Sequence, residues 1–456
     1  YSITKLLKKE IDANKNVYEL LVRENNEQKY ININVVVSGS VDAGKSSLIG
    51  TLITGKKDNG RGSARLDVFN FKHEINTGRT SSIAQHILGY DGVGNITNYC
   101  KIGKKSWPDI VKASSKIISF FDLAGHEKYL KTTILGMTST SPDVCLIIVG
   151  GNMGINKITK EHLFLCITLK IPFAFVITKI DICKNRENIL KDTLHSIHKL
   201  IKLPGIRRIP YKVDSNNDVI TVAKNIHSLS IVPIFLVSNL TGEGIENLKM
   251  FFNLLPSNKT KTAINEEVEM YIENIFNVSG VGTVVGGQLL NGSIKINDKL
   301  LLGPNNGKYT QIHVKSIHCK RVSLQRVSHG CYVCLALTKV NRNKIRRGNV
   351  ILSLNSKALA VKEFTTTLRI MKSHSTTITI GYEPVVHLNN IRQSAKIINI
   401  TNKVSSRKRN IEHDQILRSG DTATVVFSFT RFPEYVKKGQ RLLFCENLTK
   451  AVGIII

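Results

Sequence analysis

The chain has 456 residues, 42% of them hydrophobic, and 64 Lys and Arg against 34 Asp and Glu leave a formal net charge of +30. That composition marks a globular chain with ample core, and length alone suggests about three domains. No stretch approaches the roughly 20 apolar residues that span a bilayer and no signal peptide is expected, so a helical membrane protein is excluded and no membrane partner is expected. The eight cysteines lack paired metal spacing and read as buried free thiols of a reducing, cytoplasmic compartment. Cys331 and Cys334 form a lone C-x-x-C in a strand pattern, without the second ligand pair that zinc needs.

Taken in chain order, Ile3, Leu6, Leu7 and Ile11 recur at helical spacing and predict a short helix over 3–13. Tyr18 to Val22 alternates before a polar turn at Asn25-Asn26; helix and hairpin are expected to form an extension over residues 1–30, added to a sheet edge. The apolar run Ile33 to Val37 then leads into Gly39-Ser40-Val41-Asp42-Ala43-Gly44-Lys45-Ser46, and a helix is expected over Lys45 to Thr54. The spacing G-x-x-x-x-G-K-S lets backbone N–H groups wrap the phosphates of a nucleoside triphosphate. Lys45 would lie between the β- and γ-phosphates, the Ser46 hydroxyl would hold Mg²⁺, and Ser47 completes the phosphate-binding set. A glycine-rich turn without a ligand is the plain alternative, which the flanking strand and helix disfavour.

Further on, Gly78-Arg79-Thr80 lies in a polar stretch that could close over the nucleotide, with Thr80 offering the metal a second hydroxyl. Asp122-Leu123-Ala124-Gly125-His126 follows the apolar run Ile117 to Phe121. Asp122 would reach Mg²⁺ through water and the Gly125 N–H would sense the γ-phosphate. Thr178-Lys179-Ile180-Asp181 ends the run Phe173 to Ile177: the Asp181 carboxylate can accept two hydrogen bonds from guanine, and Lys179 can lay its stem over the ring. Ser238-Asn239, after Val232 to Val237, would bring a backbone N–H near the guanine O6. Strands at 33–38, 117–122, 144–149, 173–178 and 232–237 alternate with helices, so residues 31–258 read as an α/β domain with a mainly parallel sheet.

These five elements in this order resemble the translational GTPase superfamily, of the elongation factor Tu and elongation factor 1-alpha class. More narrowly, residues 58–62, 73–82, 122–133 and 277–285 resemble the GTP-binding protein 1 and 2 subfamily, and the likeness runs from about residue 17 to the end. It implies a GTPase with Mg²⁺ as cofactor, and it makes His126, the histidine after D-x-x-G, the candidate catalytic residue that orients the attacking water. Three positions depart from the elongation factor Tu pattern. Ala43 replaces a frequent histidine, Thr178 stands where Asn is usual, and Arg79 replaces the apolar residue before the switch threonine. A hydrophobic gate around the catalytic water would then retain only Val41, while Arg79 could supply positive charge in cis.

After a polar linker, Ser257 to Asn265, helical periodicity gives way to short β-rich runs separated by Gly and Asn. Residues 266–354 and 360–456 therefore read as two β-barrels, the first resembling the second domain of elongation factor Tu. Residues 311–456 carry +18, against −2 for 263–310 and +14 for the first 262. Runs such as Lys315 to Arg326, Lys339 to Arg347, Lys403 to Arg409 and Lys437 to Arg441 would bind phosphate backbone, so RNA is the expected macromolecular partner. The resemblance narrows this to tRNA or the ribosome, for a monomer that an exchange factor could serve. The alternative output is a GTP-dependent adaptor of RNA surveillance and mRNA turnover that carries no aminoacyl-tRNA; a third, a GTPase subunit driving adenylyl transfer, shares the architecture but gives no reason for the basic barrels.

Overall fold

The computed structural model describes residues 2–12, 15–23, 30–69, 71–100, 105–184, 186–203, 206–257, 267–338, 340–371, 377–405, 415–446 and 448–456. The expected turn at Asn25-Asn26, most of the linker and parts of the basic runs (Lys339, residues 406–409) lie outside them.

At the N-terminus, Ser2–Asp12 (β1) and Lys15–Arg23 (β2) pair antiparallel, which overturns the helix expected over 3–13. The apolar spacing misled because the strand register shifts between Lys5 and Leu7 and again between Glu10 and Asp12. Each irregularity breaks the period of two that marks a strand in sequence. Nor does the hairpin extend a sheet edge: among the described residues, β1 and β2 pair only with each other.

Seven strands build the α/β unit: β3 (Ile31–Gly39), β4 (Ala84–Tyr90), β5 (Lys116–Asp122), β6 (Val144–Gly150), β7 (Phe173–Thr178), β8 (Ile209–Lys212) and β9 (Ile231–Leu236). Their order is β4-β5-β3-β6-β7-β9-β8, and only β4 runs antiparallel to its neighbour. Val35, Val37, Ile118, Phe120, Leu146, Ile148 and Val176 are fully buried. Such continuous apolar runs are what a parallel sheet needs, since helices cover both of its faces. Two edge strands, β4 and β8, escape detection by sequence. The outer edge of β4 is partly closed by Asn98, whose amide donates to the Ile87 carbonyl and accepts from the Gly89 N–H, both at 2.8 Å. A buried lysine anchors the last helix, Ile245–Leu254: Lys116 Nζ donates to the carbonyls of Asn253 (2.6 Å) and Leu255 (2.7 Å), which have no partner further along the helix.

The second compact unit takes in the described residues from 267 to 456 and holds two barrels. In the first, Glu269–Val278, Gly282–Asn291, Lys299–Asn305, Lys308–Cys319, Tyr332–Thr338 and Val350–Ser353 close into six strands, because Lys299–Asn305 pairs on both of its edges. In the second, Glu363–Ile370, Val385–Leu388, Ile391–Val404, Thr422–Phe429, Arg441–Glu446 and Leu448–Ile455 close likewise. Inward residues such as Ile312, Val314 and Ile317, or Ala423, Val425 and Phe427, alternate with outward ones along each strand. Gly286 and Gly287 leave room for close packing inside this barrel, since a Cβ on Gly287 would strike the Tyr271 carbonyl. Cys145, Cys166 and Cys183 are buried free thiols, whereas Cys100 is exposed rather than buried as expected.

A polar seam joins the barrels. Arg346 grips Glu434 with both guanidinium arms, at 2.7 and 2.8 Å, and Asn390 donates to the carbonyls of Ile272 and Asn349, each at 3.0 Å. Glu434 is 2% exposed, and burial raises its pKa while the bound guanidinium opposes the rise. Arg346→Ala would strand that carboxylate, so the unfolding transition of the barrels should lose about 3–5 kcal/mol in denaturant titration. Pairing Arg346→Met with Glu434→Leu should recover most of it.

Candidate guanine-nucleotide site

The carboxyl ends of β3, β5 and β7 open onto one rim of the sheet, where ligands collect in open α/β folds. At the end of β3 the chain turns through Gly39 to Ser46 into the helix α1 (Lys45–Thr54), whose N-cap Gly44 has φ 87°. Lys45 is 7% exposed and its Nζ donates to the Ser40 carbonyl at 2.7 Å. Asp122, at the end of β5, is fully buried. Burial pushes the Lys45 amine down and the Asp122 carboxyl up, and each is tempered by the charge of the other.

Three segments converge on Asp122. Ser46 Oγ donates to its Oδ2 at 2.6 Å, Thr80 Oγ1 donates to the same atom at 3.1 Å, and the two hydroxyls lie 2.9 Å apart. The other carboxylate oxygen, Oδ1, is buried with no hydrogen-bond partner. Two hydroxyls and a carboxylate with a spare oxygen are hard donors, a set that fits Mg²⁺. Gly125 sits under the loop so closely that a Cβ there would collide with Lys45 Nζ and the Gly39 carbonyl.

A cavity of about 330 Å³ lies over this point, lined by Val41, Gly44, Lys45, Ser46, Thr80 and Gly125 among others. Asp42, Ser47, Arg79 and His126 also line it. Val41 and Arg79 thus reach one cavity, as does His126, whose Nδ1 accepts from the Lys128 N–H at 3.1 Å and whose ring meets Tyr129 edge-on. Gly39, Ser40, Ala43 and Asp122 are not in its lining. All four are buried.

The remaining candidates gather separately from that lining. Ser238 Oγ donates to Asp181 Oδ1 at 2.5 Å, and Lys179 takes φ 60° at the head of the short helix Ile180–Cys183. Asn239 is adjacent in chain to Ser238, and its carbonyl accepts from the Asp58 N–H at 2.9 Å. Thr178, at the end of β7, links the two groups: its buried hydroxyl donates to the Ala43 carbonyl at 2.6 Å and braces the loop after β3.

Residues 31–273 match the family described as the elongation factor Tu GTP binding domain, and residues 282–352 match elongation factor Tu domain 2. The chain belongs to the elongation factor Tu family of translational GTPases. Among relatives of this GTPase, GTP-binding protein 1 of Xenopus laevis is 45% identical over 454 residues, 99% of this chain and 67% of that protein. Human GTP-binding protein 2 is 37% identical over 462 residues, 99% of this chain and 74% of that one. The elongation factor SelB of Methanococcus maripaludis, solved with the GTP analogue GPPNHP, shares the fold with a TM-score of 0.63 at 19% identity, over 93% of this chain and 79% of its own. The translational GTPase hydrolyses GTP to GDP and phosphate.

Sequence reasoning assigned no role to Glu74, which is fully buried and accepts from the backbone N–H and the hydroxyl of both Ser81 and Ser82, at 2.9–3.3 Å. Burial alone would raise its pKa, and these hydrogen bonds outweigh that and hold it low. The only sequence signal was its place beside Gly78-Arg79-Thr80. A prediction follows from Thr178. Replacing it with Val removes one buried hydrogen bond to the loop, so GTP and GDP should both bind about fivefold more weakly by fluorescent-nucleotide titration. Loss of one nucleotide's affinity alone would contradict a bracing role.

Proposed function

We propose that this GTPase is a guanine-nucleotide switch of translation that engages tRNA or the ribosome through its basic barrels. The observation carrying the reading is the meeting of Ser46, Thr80 and Asp122, residues from the phosphate loop, the closing loop and the D-x-x-G segment, at one buried point. In this reading the backbone from Gly39 to Ser47 holds the phosphates with Lys45, and the Gly125 N–H senses the γ-phosphate. Ser46 and Thr80 would hold Mg²⁺, with Asp122 through water; when bound, that ion neutralises charge on the phosphate oxygens. His126 orients the attacking water. Asp181 accepts from guanine, Lys179 covers the ring, Thr178 braces the loop, and Ser238 and Asn239 present the base-side backbone. Arg79 brings positive charge to the phosphate end of the cavity.

Contact with RNA is supported by the first barrel. Lys295 and Arg326 stand directly opposite each other in a two-stranded ladder. His313, Lys315 and His318 are all exposed on the strand Lys308–Cys319. Like charges set opposite each other destabilise a sheet, and a polyanion would relieve that cost.

Two measurements test the reading. Purified ribosomes should raise the GTP hydrolysis rate at least tenfold, and His126→Ala should abolish the stimulated rate while leaving GTP affinity within about twofold. No stimulation would instead favour an adaptor that carries no aminoacyl-tRNA. Separately, Asp181→Asn should shift preference from GTP toward XTP by well over tenfold, because the amide reverses one hydrogen bond of the pair; unchanged GTP affinity would remove Asp181 from the guanine site.

A further inference from the structure

The segment from Lys57 to Leu66, just past α1, touches both halves of the nucleotide site. On the base side, the Asp58 N–H donates to the Asn239 carbonyl at 2.9 Å. Two close approaches reinforce that seam: a Cβ on Gly242 would come within 2.9 Å of the Lys57 stem, and one on Gly60 would touch Leu240 at 3.9 Å. The Asp58 carboxylate then turns inward to cap the next element. It accepts from the Gly62 N–H at 3.3 Å, the Ser63 hydroxyl at 3.2 Å and the Ala64 N–H at 2.9 Å, the start of the short helix Ser63–Leu66.

That helix lies flat against α1. Ala64 is buried, and its carbonyl presses on Gly50 so closely that any Cβ at position 50 would collide with it. From the same helix, Arg65 reaches the other side of the site. Its guanidinium donates to the Gly78 carbonyl at 3.3 Å and lines the phosphate-end cavity beside Gly78, Arg79 and Thr80. Gly62 (φ 88°) and Gly78 (φ 65°) fence it in: a Cβ on either would come within 2.6–3.0 Å of guanidinium nitrogens. No other donor from outside the loop is bound to the backbone immediately before Thr80 among the described hydrogen bonds.

We infer that Asp58 and Arg65 are positioning residues that strap the guanine-side loop at Asn239 to the closing loop at Gly78, so that a seated base favours the arrangement in which Thr80 reaches Ser46 and Asp122. Neither residue touches the reacting atoms. Their effect falls on the triphosphate state, because only there does the closing loop gain a γ-phosphate to hold it. The strap therefore adds to discrimination between GTP and GDP more than to nucleotide affinity as such. This rests on the reading that Ser238 and Asn239 face the base.

The test is a double-mutant cycle on the full chain with Asp58→Ala and Arg65→Met, reading the affinities for GDP and for a non-hydrolysable GTP analogue. Each single variant should lower the ratio of analogue to GDP affinity about tenfold, with GDP affinity unchanged. The double variant should lose no more than the larger single loss, since breaking one strap twice costs nothing extra. Asp58→Asn, which keeps an acceptor for the Ala64 N–H, should restore most of the ratio. Multiplying losses, about a hundredfold in the double variant, or an unchanged ratio in Arg65→Met overturns the inference. So does a fall in GDP affinity equal to that for the analogue. Should Asp58→Ala fail to fold, half-exposed Arg65 decides the matter through Arg65→Met alone. The base-site reading fails separately: Asp181→Asn would leave XTP preference unmoved while the strap variants still shifted the ratio.

Discussion

The buried pair of Lys45 and Asp122 constrains everything around it. Both are more than nine-tenths shielded from solvent. Burial opposes both charges, and their mutual attraction offsets that only in part. The neighbours then divide the work. Ser40 offers Lys45 a carbonyl, Ser46 and Thr80 offer Asp122 two hydroxyls, and one carboxylate oxygen is left over. A site with a surplus cation on one side and a surplus acceptor on the other is complementary to a phosphate group together with a metal ion. The same electrostatic tension that weakens the empty fold is what strengthens the filled one.

Such a pair requires the backbone to come close, and glycine is where it does. Gly125 passes beneath Lys45, Gly39 (φ 147°) fits against the Ile148 carbonyl, and Gly50 admits the strap helix against α1. Each is a place where a side chain would push apart segments that the chemistry needs together. Thr178 serves the same end by a hydrogen bond instead, filling from the guanine strand the space beneath Ala43. Nothing in that contact requires the usual Asn, since one hydroxyl reaches the carbonyl and a second acceptor, Val149 O, at 3.3 Å.

How legible this was in sequence depended on the range of the interactions. The central strands read clearly because burial on both faces leaves uninterrupted apolar runs, and the phosphate loop read clearly because its spacing is local. The barrels were visible from alternation and turn residues, although their closure depends on pairings such as Lys299 with His313 that no local pattern reports. The N-terminal hairpin was misread because its register shifts mimic helical spacing. Edge strands β4 and β8 were missed for another reason: Ile209–Lys212 is only four residues and largely exposed, so it has no apolar stripe to display. Within the candidate site, the motifs named Ser46, Thr80 and Asp122, which the fold brings together, while Glu74, Asp58 and Arg65 were not assigned. Most of their partners are backbone groups, and backbone groups have no sequence.

That difference bears on how this switch can vary without losing its chemistry. Residues that meet the phosphates are held to one identity by the ligand, whereas those that meet backbone are held only by shape. Glu74 binds four donors from Ser81 and Ser82, two of them amides that any residue would supply, and Asp58 likewise caps Gly62 and Ala64 through their N–H groups. Substitution at position 79 therefore leaves these anchors intact, which is how Arg79 can stand beside Thr80 where an apolar residue is usual. The anchors fix where the loop lies, independently of the side chain at position 79.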